Sequence, residues 1–110
     1  MSLNKKANIE IMSIFKDCLP IFSVLNDEKR QAIILIIGEY PEKGIIVNEI
    51  TERINLSRPA VSHHLKILKQ AGIVGVINKG VENYYYLTLK SAVENLKRLT
   101  NAIEDNCDLI

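Results

Sequence analysis

The stretch from Ser57 to Gly72 constrains the fold of this chain most, because it contains the start, both faces and the end of one helix. Ser57 is a favoured N-cap residue, and Pro59 stands in the first turn, where a missing N–H costs little. Gly72 supplies the left-handed residue that ends many helices. We therefore predict a helix between Ser57 and Gly72.

The predicted helix has one apolar face and one polar face. At about 3.6 residues per turn, Val61, Leu65 and Leu68 lie on the same side. The other side carries Arg58, Pro59, Ser62, His63, Lys66, Lys69 and Gln70. All 13 acidic residues lie outside the segment from Arg53 to Lys79. This local excess of positive charge favours a polyanion as ligand, since each neutralised phosphate releases counterions.

The flanking segments predict a helix-turn-helix followed by a β-hairpin. Val47, Ile50 and Ile54 recur at helical spacing and mark a short helix, so that residues 47–71 form the helix-turn-helix. Beyond it, two runs rich in β-branched and aromatic residues flank a turn at residues 78–80. This hairpin, residues 73–88, is expected to be a wing that lies along the phosphate backbone or the minor groove of DNA.

Two helices are predicted before the helix-turn-helix. The first covers residues 7–19, and Pro20 is expected to end it. Its apolar stripe consists of Ile11, Phe15, Cys18 and Phe22. The β-branched isoleucines in residues 26–38 would suit a buried strand. The start signal at Asn26 and Asp27 and the length of the segment favour a core helix instead.

The last predicted helix, residues 90–107, repeats side chains at steps of three or four. These are Val93, Leu96, Thr100, Ile103, Cys107 and Ile110. Little local core remains to bury such a stripe, so we predict that it forms a dimer interface with the first helix, packing within one chain being the alternative. A twofold dimer would set its recognition helices roughly 34 Å apart, one turn of DNA, and so favour a palindromic operator.

Length and composition predict one ordinary globular domain. The chain has 110 residues, of which 47% are hydrophobic and 25% charged, with a net charge of +1. The polyanion argument therefore depends on where the charges lie and not on their sum. Two cysteines suit a reducing cytoplasm, and the longest apolar run, residues 32–37, is too short to span a bilayer. We expect a cytoplasmic protein with no signal peptide and no membrane contact.

The central motif resembles the ArsR/SmtB family of winged-helix bacterial repressors. The resemblance is carried by Leu56 and Ser57, the run from Val61 to Leu68, and Gln70 to Val74. Weaker likeness extends over about Phe22 to Leu89, with Gly80, Tyr84, Tyr85 and Leu87 in the wing and Arg30 in the first core helix. The resemblance implies a mostly α, winged helix-turn-helix fold with a small β-hairpin, which dimerises through its N- and C-terminal helices. It also implies sequence-specific binding to double-stranded DNA as a homodimeric repressor.

Two departures from the family pattern bear on function. Gly75, Val76 and Ile77 stand where the first wing strand is often basic, which predicts a weaker grip on phosphates. Ile46 and Asn48 stand where some metal-sensing members have a Cys-x-Cys pair, and the C-terminal helix has no histidine. Without thiolates or imidazoles at ligand spacing, we expect no metal site, and nothing in the chain predicts another cofactor.

The candidate DNA-binding residues are Ser57, Arg58, Pro59, Ser62, His63, Lys66, Lys69 and Lys79. Arg58, Ser62, His63 and Lys66 are expected to face base edges, and Lys69 and Lys79 to reach phosphates. His63 and His64 point about 100° apart on a helix, so they cannot share a metal or form a relay, and His64 is expected to pack at the edge of the apolar face. The sequence has no nucleophile elbow, no phosphate-binding glycine loop and no paired carboxylates in a plausible cleft, so we predict that the protein is not an enzyme.

Cys18 and Cys107 fall on the apolar stripes of the two terminal helices, where they are expected to be small buried hydrophobes. The alternative is a thiol switch, in which oxidation across the helices changes half-site spacing. It requires Cα atoms within about 7 Å. Three further alternatives stay open. A small organic effector could bind at the dimer helices, or the repressor could have no signal and be controlled by its expression level alone. The winged helix could also serve as a protein-interaction module.

Overall fold

A computed structural model describes residues 5–106 of the chain. Its elements are α1 (Lys5–Leu25), α2 (Glu28–Gly38), α3 (Val47–Arg53), α4 (Arg58–Gln70), β1 (Val74–Lys79), β2 (Glu82–Leu87) and α5 (Lys90–Asn106). The two strands pair antiparallel. The predicted fold class, a mostly helical winged helix-turn-helix with a small hairpin, is confirmed. Within residues 5–106, every helix is too short or too polar to traverse a lipid bilayer.

The core forms where α2, α3 and α4 pack against one another and α2 and α3 meet the hairpin. Ile33 on α2, Ile50 on α3 and Leu65 on α4 are almost completely buried there. The isoleucine run is therefore a helix, as predicted. Its N-cap is Asp27, whose carboxylate accepts hydrogen bonds from the backbone N–H groups of Lys29 at 2.8 Å and Arg30 at 3.1 Å.

Helix α4 has the ends and the buried face that its sequence predicts. The Ser57 hydroxyl accepts a hydrogen bond from the backbone N–H of Ala60 at 3.2 Å, and Pro59 lies in the first turn. The chain leaves the helix through Gly72, whose φ is 76°. The buried side chains of this helix are Val61, Leu65 and Leu68. Burial of this face leaves the opposite face of α4 in solvent.

The prediction that Pro20 ends the first helix is wrong, because α1 continues through it to Leu25. Proline removes one backbone donor, which leaves the carbonyl oxygen of Lys16 without its helical partner. Lys16 and Pro20 are both on the solvent side, where water can take that partner's place. Cys18 and Ile21 are buried on either side of the proline, so packing holds the helix across the break.

Helix α1 packs along α5 within the same chain, and this changes the predicted buried faces. The buried residues of α1 are Ala7, Ile11, Ile14, Cys18, Ile21 and Val24. Phe15 and Phe22, predicted in the buried stripe, remain 40% and 39% exposed. On α5 the buried residues are Leu99 and Ala102, whereas Val93 is 42% exposed. The predicted α1 stripe combines residues of a buried row and an exposed row, because helical spacing alone does not identify which neighbouring helix covers a stripe. The dimer interface predicted for the two terminal helices stays a prediction.

The wing is joined to the core by one backbone pairing. Ile45 and Tyr85 exchange hydrogen bonds, each from N–H to carbonyl at 2.9 Å, so Ile45 forms a single β-bridge with β2. Gly44 permits this approach, since a Cβ there would lie 2.7 Å from the carbonyl oxygen of Tyr85. At the other end, Gly80 and Val81 form the loop, so the turn lies slightly later than predicted.

Candidate nucleic-acid interface

The outer face of α4 is a solvent-exposed surface with no acidic side chain. We define it as Arg58, Pro59, Ser62, His63, Lys66, Lys69 and Gln70, all of which are exposed. Ser57, at the N-cap, and Lys79, at the end of β1, are exposed as well. Among residues 5–106, neither Lys66 nor Lys69 forms an ion pair. Their ammonium groups are therefore available to an external anion.

Arg58, the first residue of α4, is held by the neighbouring helix. Its Nε donates a hydrogen bond of 2.7 Å to Oδ1 of Asn48 on α3. Both residues are exposed, so the bond lies at the surface where α3 and α4 meet. The sequence offers no signal for this contact, because no local pattern connects Asn48 and Arg58, which are ten residues apart across a turn.

The wing offers one cation, and its strands explain why it carries no more. Lys79 lies over the ring of Tyr84, with Nζ 4.9 Å from the ring centroid. In the register of the two strands, Lys79 lies opposite Glu82. Gly75 faces Tyr86 so closely that a Cβ at this position would lie 2.5 Å from the ring. A basic residue at position 75 would displace the tyrosine. The close approach of Gly75 and Tyr86 therefore disfavours a basic residue at position 75, and the next two residues of the strand, Val76 and Ile77, are apolar.

Arg53, counted in the acid-free segment, does not contribute a free charge to this surface. Its guanidinium forms an ion pair with Glu39 and lies 3.4 Å from the hydroxyl of Tyr40. The hydrogen bond from Arg53 lowers the pKa of the Glu39 carboxyl below its ordinary value. An acidic residue far away in the sequence therefore neutralises Arg53. Within the acid-free segment, the cations that form no ion pair among the described residues are therefore Arg58, Lys66 and Lys69 on α4 and Lys79 on the wing.

Arg30 connects three helices in a way that the sequence analysis did not detect. Its Nε donates to the carbonyl oxygen of Val24 at 2.9 Å, near the end of α1. Its Nη1 lies 3.5 Å from Nδ1 of His64 on α4 and 3.7 Å from the Asp27 carboxylate. His64 is half-buried, as predicted. The Arg30 side chain therefore links the end of α1 to the inner edge of α4.

Replacing Arg30 with alanine is expected to lower the free energy of unfolding by about 1–3 kcal/mol, because a partly buried carbonyl loses its donor. Equilibrium unfolding in urea measures the change. Lys29→Ala is the matched control, since it removes an exposed cation from the adjacent position. Equal stability of the two variants would show that the Arg30 contacts contribute nothing.

The remaining candidate residues do not assemble into a chemical centre. Among residues 5–106, no three histidine, cysteine, aspartate or glutamate side chains converge as a metal site would require. The ring centroids of His63 and His64 are 6.2 Å apart. Cys18 is completely buried, as predicted, which keeps it from dissolved oxidants. Cys107 lies outside the described residues, so the Cys18–Cys107 switch stays a prediction.

Comparison with known proteins assigns the family. The profile of "Bacterial regulatory protein, arsR family" matches residues 27–76, which include α2, α3 and α4. An HTH-type transcriptional regulator of Methanocaldococcus jannaschii, MJ1325, is 31% identical over 86 residues, which are 78% of this chain and 94% of that protein. The chain belongs to the ArsR family.

Other similar proteins include a transcriptional repressor and solved structures of the same fold. The transcriptional repressor SdpR of Bacillus subtilis is 32% identical over 85 residues, which cover 76% of this chain and 89% of SdpR. An ArsR-like transcriptional regulator from Rhodococcus sp. RHA1 superposes with a TM-score of 0.68 at 23% identity, covering 79% of each chain. Reduced HlyU from Vibrio cholerae superposes with a TM-score of 0.66 at 20% identity, covering 90% of this chain and 98% of HlyU. These two structures share the ArsR fold.

Proposed function

We propose that this ArsR-family protein is a sequence-specific DNA-binding repressor that acts as a homodimer. The observation that carries the proposal is the outer face of α4, which is exposed, basic and free of carboxylates. A helix with these properties fits the major groove, where base edges offer acceptors to arginine, lysine and serine. Similarity to a transcriptional repressor supports the direction of control. Repression would be steric, because a bound dimer occupies the operator.

The dimer proposal is supported by a second apolar row on α1, beside the row that α5 covers. We call it the α1 seam, and its members are Met12, Phe15, Leu19 and Phe22, which are 59%, 40%, 57% and 39% exposed. Their steps of three, four and three residues are those of a helix–helix contact. Large apolar side chains in one exposed row indicate an interaction surface. A second copy of the same seam is its most economical partner, since a twofold contact is self-complementary.

Within this proposal, each side chain keeps its predicted role. Arg58, Ser62, His63 and Lys66 face base edges, while Lys69 and Lys79 reach phosphates. Ser57 and Pro59 lie at the N-terminal end of α4, beside Arg58, and are expected to approach the backbone of DNA. Two copies related by the α1 seam would present two such surfaces to the half-sites of a palindrome.

We also propose that the protein does not respond to metals through the family's cysteine positions. Ile46 is apolar, and the amide oxygen of Asn48 already accepts a hydrogen bond from Arg58. Neither side chain supplies the thiolate that soft or borderline metals require. Zinc or arsenite at micromolar concentration should leave the affinity for DNA unchanged.

The affinity for operator DNA is expected to fall steeply with salt. If the dimer makes about six to eight phosphate contacts, log affinity against log salt has a slope of about −5 to −7. Lys66→Ala should weaken binding, whereas Lys69→Ala, which removes a phosphate contact, should also make the slope shallower by about 1. The matched control is Lys97→Ala, an exposed lysine on α5, which should leave affinity and slope unchanged. Fluorescence anisotropy with a labelled duplex at several salt concentrations measures both quantities.

Selection of bound duplexes from a random library tests the proposal as a whole. A palindromic consensus is the expected result. If the protein recovers no consensus and its weak binding does not depend on salt, the repressor proposal is wrong. The hypothesis of a winged-helix protein-interaction module is then favoured.

A further inference from the structure

Asn48 lies outside the predicted interface, but among the described residues it makes the only hydrogen bond to the side chain of Arg58. The bond is short, 2.7 Å from Nε to Oδ1, and it spans the junction of α3 and α4. Asn48 lies in the first turn of α3, and Arg58 is the first residue of α4. The partner of Arg58 therefore comes from a separate helix.

The geometry of this bond leaves both terminal nitrogens of the guanidinium free to contact a ligand. A guanidinium has five N–H donors, and Nε carries only one of them. The four donors on the two terminal nitrogens make no ion pair or hydrogen bond among residues 5–106. Those terminal nitrogens can contact O6 and N7 of a guanine together. Because the bond engages Nε alone, it restrains the side chain without blocking that contact.

We propose that Asn48 is a positioning residue that holds Arg58 in the orientation required to read a base. This inference rests on the proposed DNA-binding function. A long side chain that is already ordered loses less conformational entropy on binding, so preorganisation raises affinity without a new contact to DNA. It also fixes the direction of the guanidinium, and direction decides which base edge is read. Asn48 thereby sharpens specificity at one position of each half-site.

The experiment measures wild-type protein, Asn48→Ala, Arg58→Ala and the double variant on duplexes recovered by the wild-type protein. Asn48→Ala should weaken binding about 3- to 10-fold per half-site, the value of ordering one flexible side chain. Arg58→Ala should weaken it about 5- to 150-fold, the value of one bidentate base contact. The two effects should not add, because Asn48 acts only through Arg58. Asn101→Ala, an exposed asparagine on α5, is the matched control and should bind as the wild type does.

A second readout separates positioning from a structural effect. Repeating the selection with Asn48→Ala should relax the preference at the single position that Arg58→Ala also relaxes. Asn48→Leu, which keeps the size and removes the acceptor, should behave like Asn48→Ala. Thermal unfolding of each variant checks that the fold is intact. A change in folding alone would lower affinity for every duplex equally and would leave the consensus as it was.

The outcomes are distinguishable from failure of the proposed function. If wild-type protein selects no consensus, the repressor proposal is wrong whatever Asn48 does. If wild-type protein selects a consensus and Asn48→Ala retains both its affinity and its consensus, the positioning role is wrong. If Asn48→Ala lowers the affinity for DNA by the same factor in wild-type protein and in Arg58→Ala, Asn48 contacts DNA independently of Arg58. Tighter binding by Asn48→Ala would mean that the bond holds Arg58 away from DNA. Each of these results overturns the inference.

Discussion

A Leu19→Glu variant is expected to be a monomer at concentrations where the wild-type chain is a dimer, and to lose at least about 100-fold in affinity for a palindromic duplex. Leu19 is 57% exposed in the single chain and lies inside the α1 seam, between Phe15 and Phe22. A twofold contact through this seam would bury two carboxylates without a cationic partner. Burying an unpaired charge is costly, so the dimer dissociates. Each monomer then holds one half-site only.

Sedimentation velocity over a range of protein concentrations measures the dimerisation constant, and anisotropy measures DNA affinity. The control is Leu35→Glu, the same substitution at a leucine on α2 that is 74% exposed. It should remain a dimer and bind the palindrome normally. If Leu19→Glu remains a dimer, the α1 seam is not the interface. If the wild-type chain sediments as a monomer at every concentration and on DNA, the homodimer proposal fails.

Leu65→Ala is expected to lower the free energy of unfolding by about 2–5 kcal/mol. Leu65 is 1% exposed and lies on the inner face of α4, in the same core as Ile33 and Ile50. Truncation removes buried apolar surface and leaves a cavity that the surrounding helices fill only in part. A small domain has a total stability of about 5–15 kcal/mol, so this single change removes a large share of it.

Urea unfolding monitored by circular dichroism measures the loss, and the melting temperature should fall by roughly 10 °C or more. Leu35→Ala is the matched control, because the chemical change is the same and the site is 74% exposed. It should alter stability by no more than about 0.5 kcal/mol. Comparable losses from the two variants would contradict the assignment of Leu65 to the core.

Much of the helix-turn-helix could be predicted from local sequence. The cap at Ser57, the end at Gly72 and the buried face of α4 depend on residues within one helix, and hydrogen bonding or burial supports each of them. The isoleucine run was recognisable as a helix because its N-cap, Asp27, overrides the β propensity of its interior. These features follow from backbone conformation and periodicity, which act over a few residues.

The length of the first helix and the buried side chains of the terminal helices are harder to predict, because both depend on residues that are distant in sequence. Pro20 ends a helix in isolation, but packing on both sides of it keeps α1 continuous. The two apolar rows of α1 look alike in sequence, and only the position of α5 distinguishes the covered row from the α1 seam. The charge of Arg53 is neutralised by an ion pair with Glu39, which lies at the end of α2.

Local sequence specifies the fold class, the position of α4 and the positive charge of its outer face, because those properties arise from residues close together along the chain. The packing of the helices settles which apolar row stays exposed, which cations stay unpaired, and which residue is hydrogen-bonded to Arg58, because burial, ion pairing and side-chain hydrogen bonds depend on distance in space. Asn48 and Arg58 are ten residues apart in sequence, and the Oδ1 atom of Asn48 comes to 2.7 Å from Nε of Arg58 only once α3 and α4 have packed.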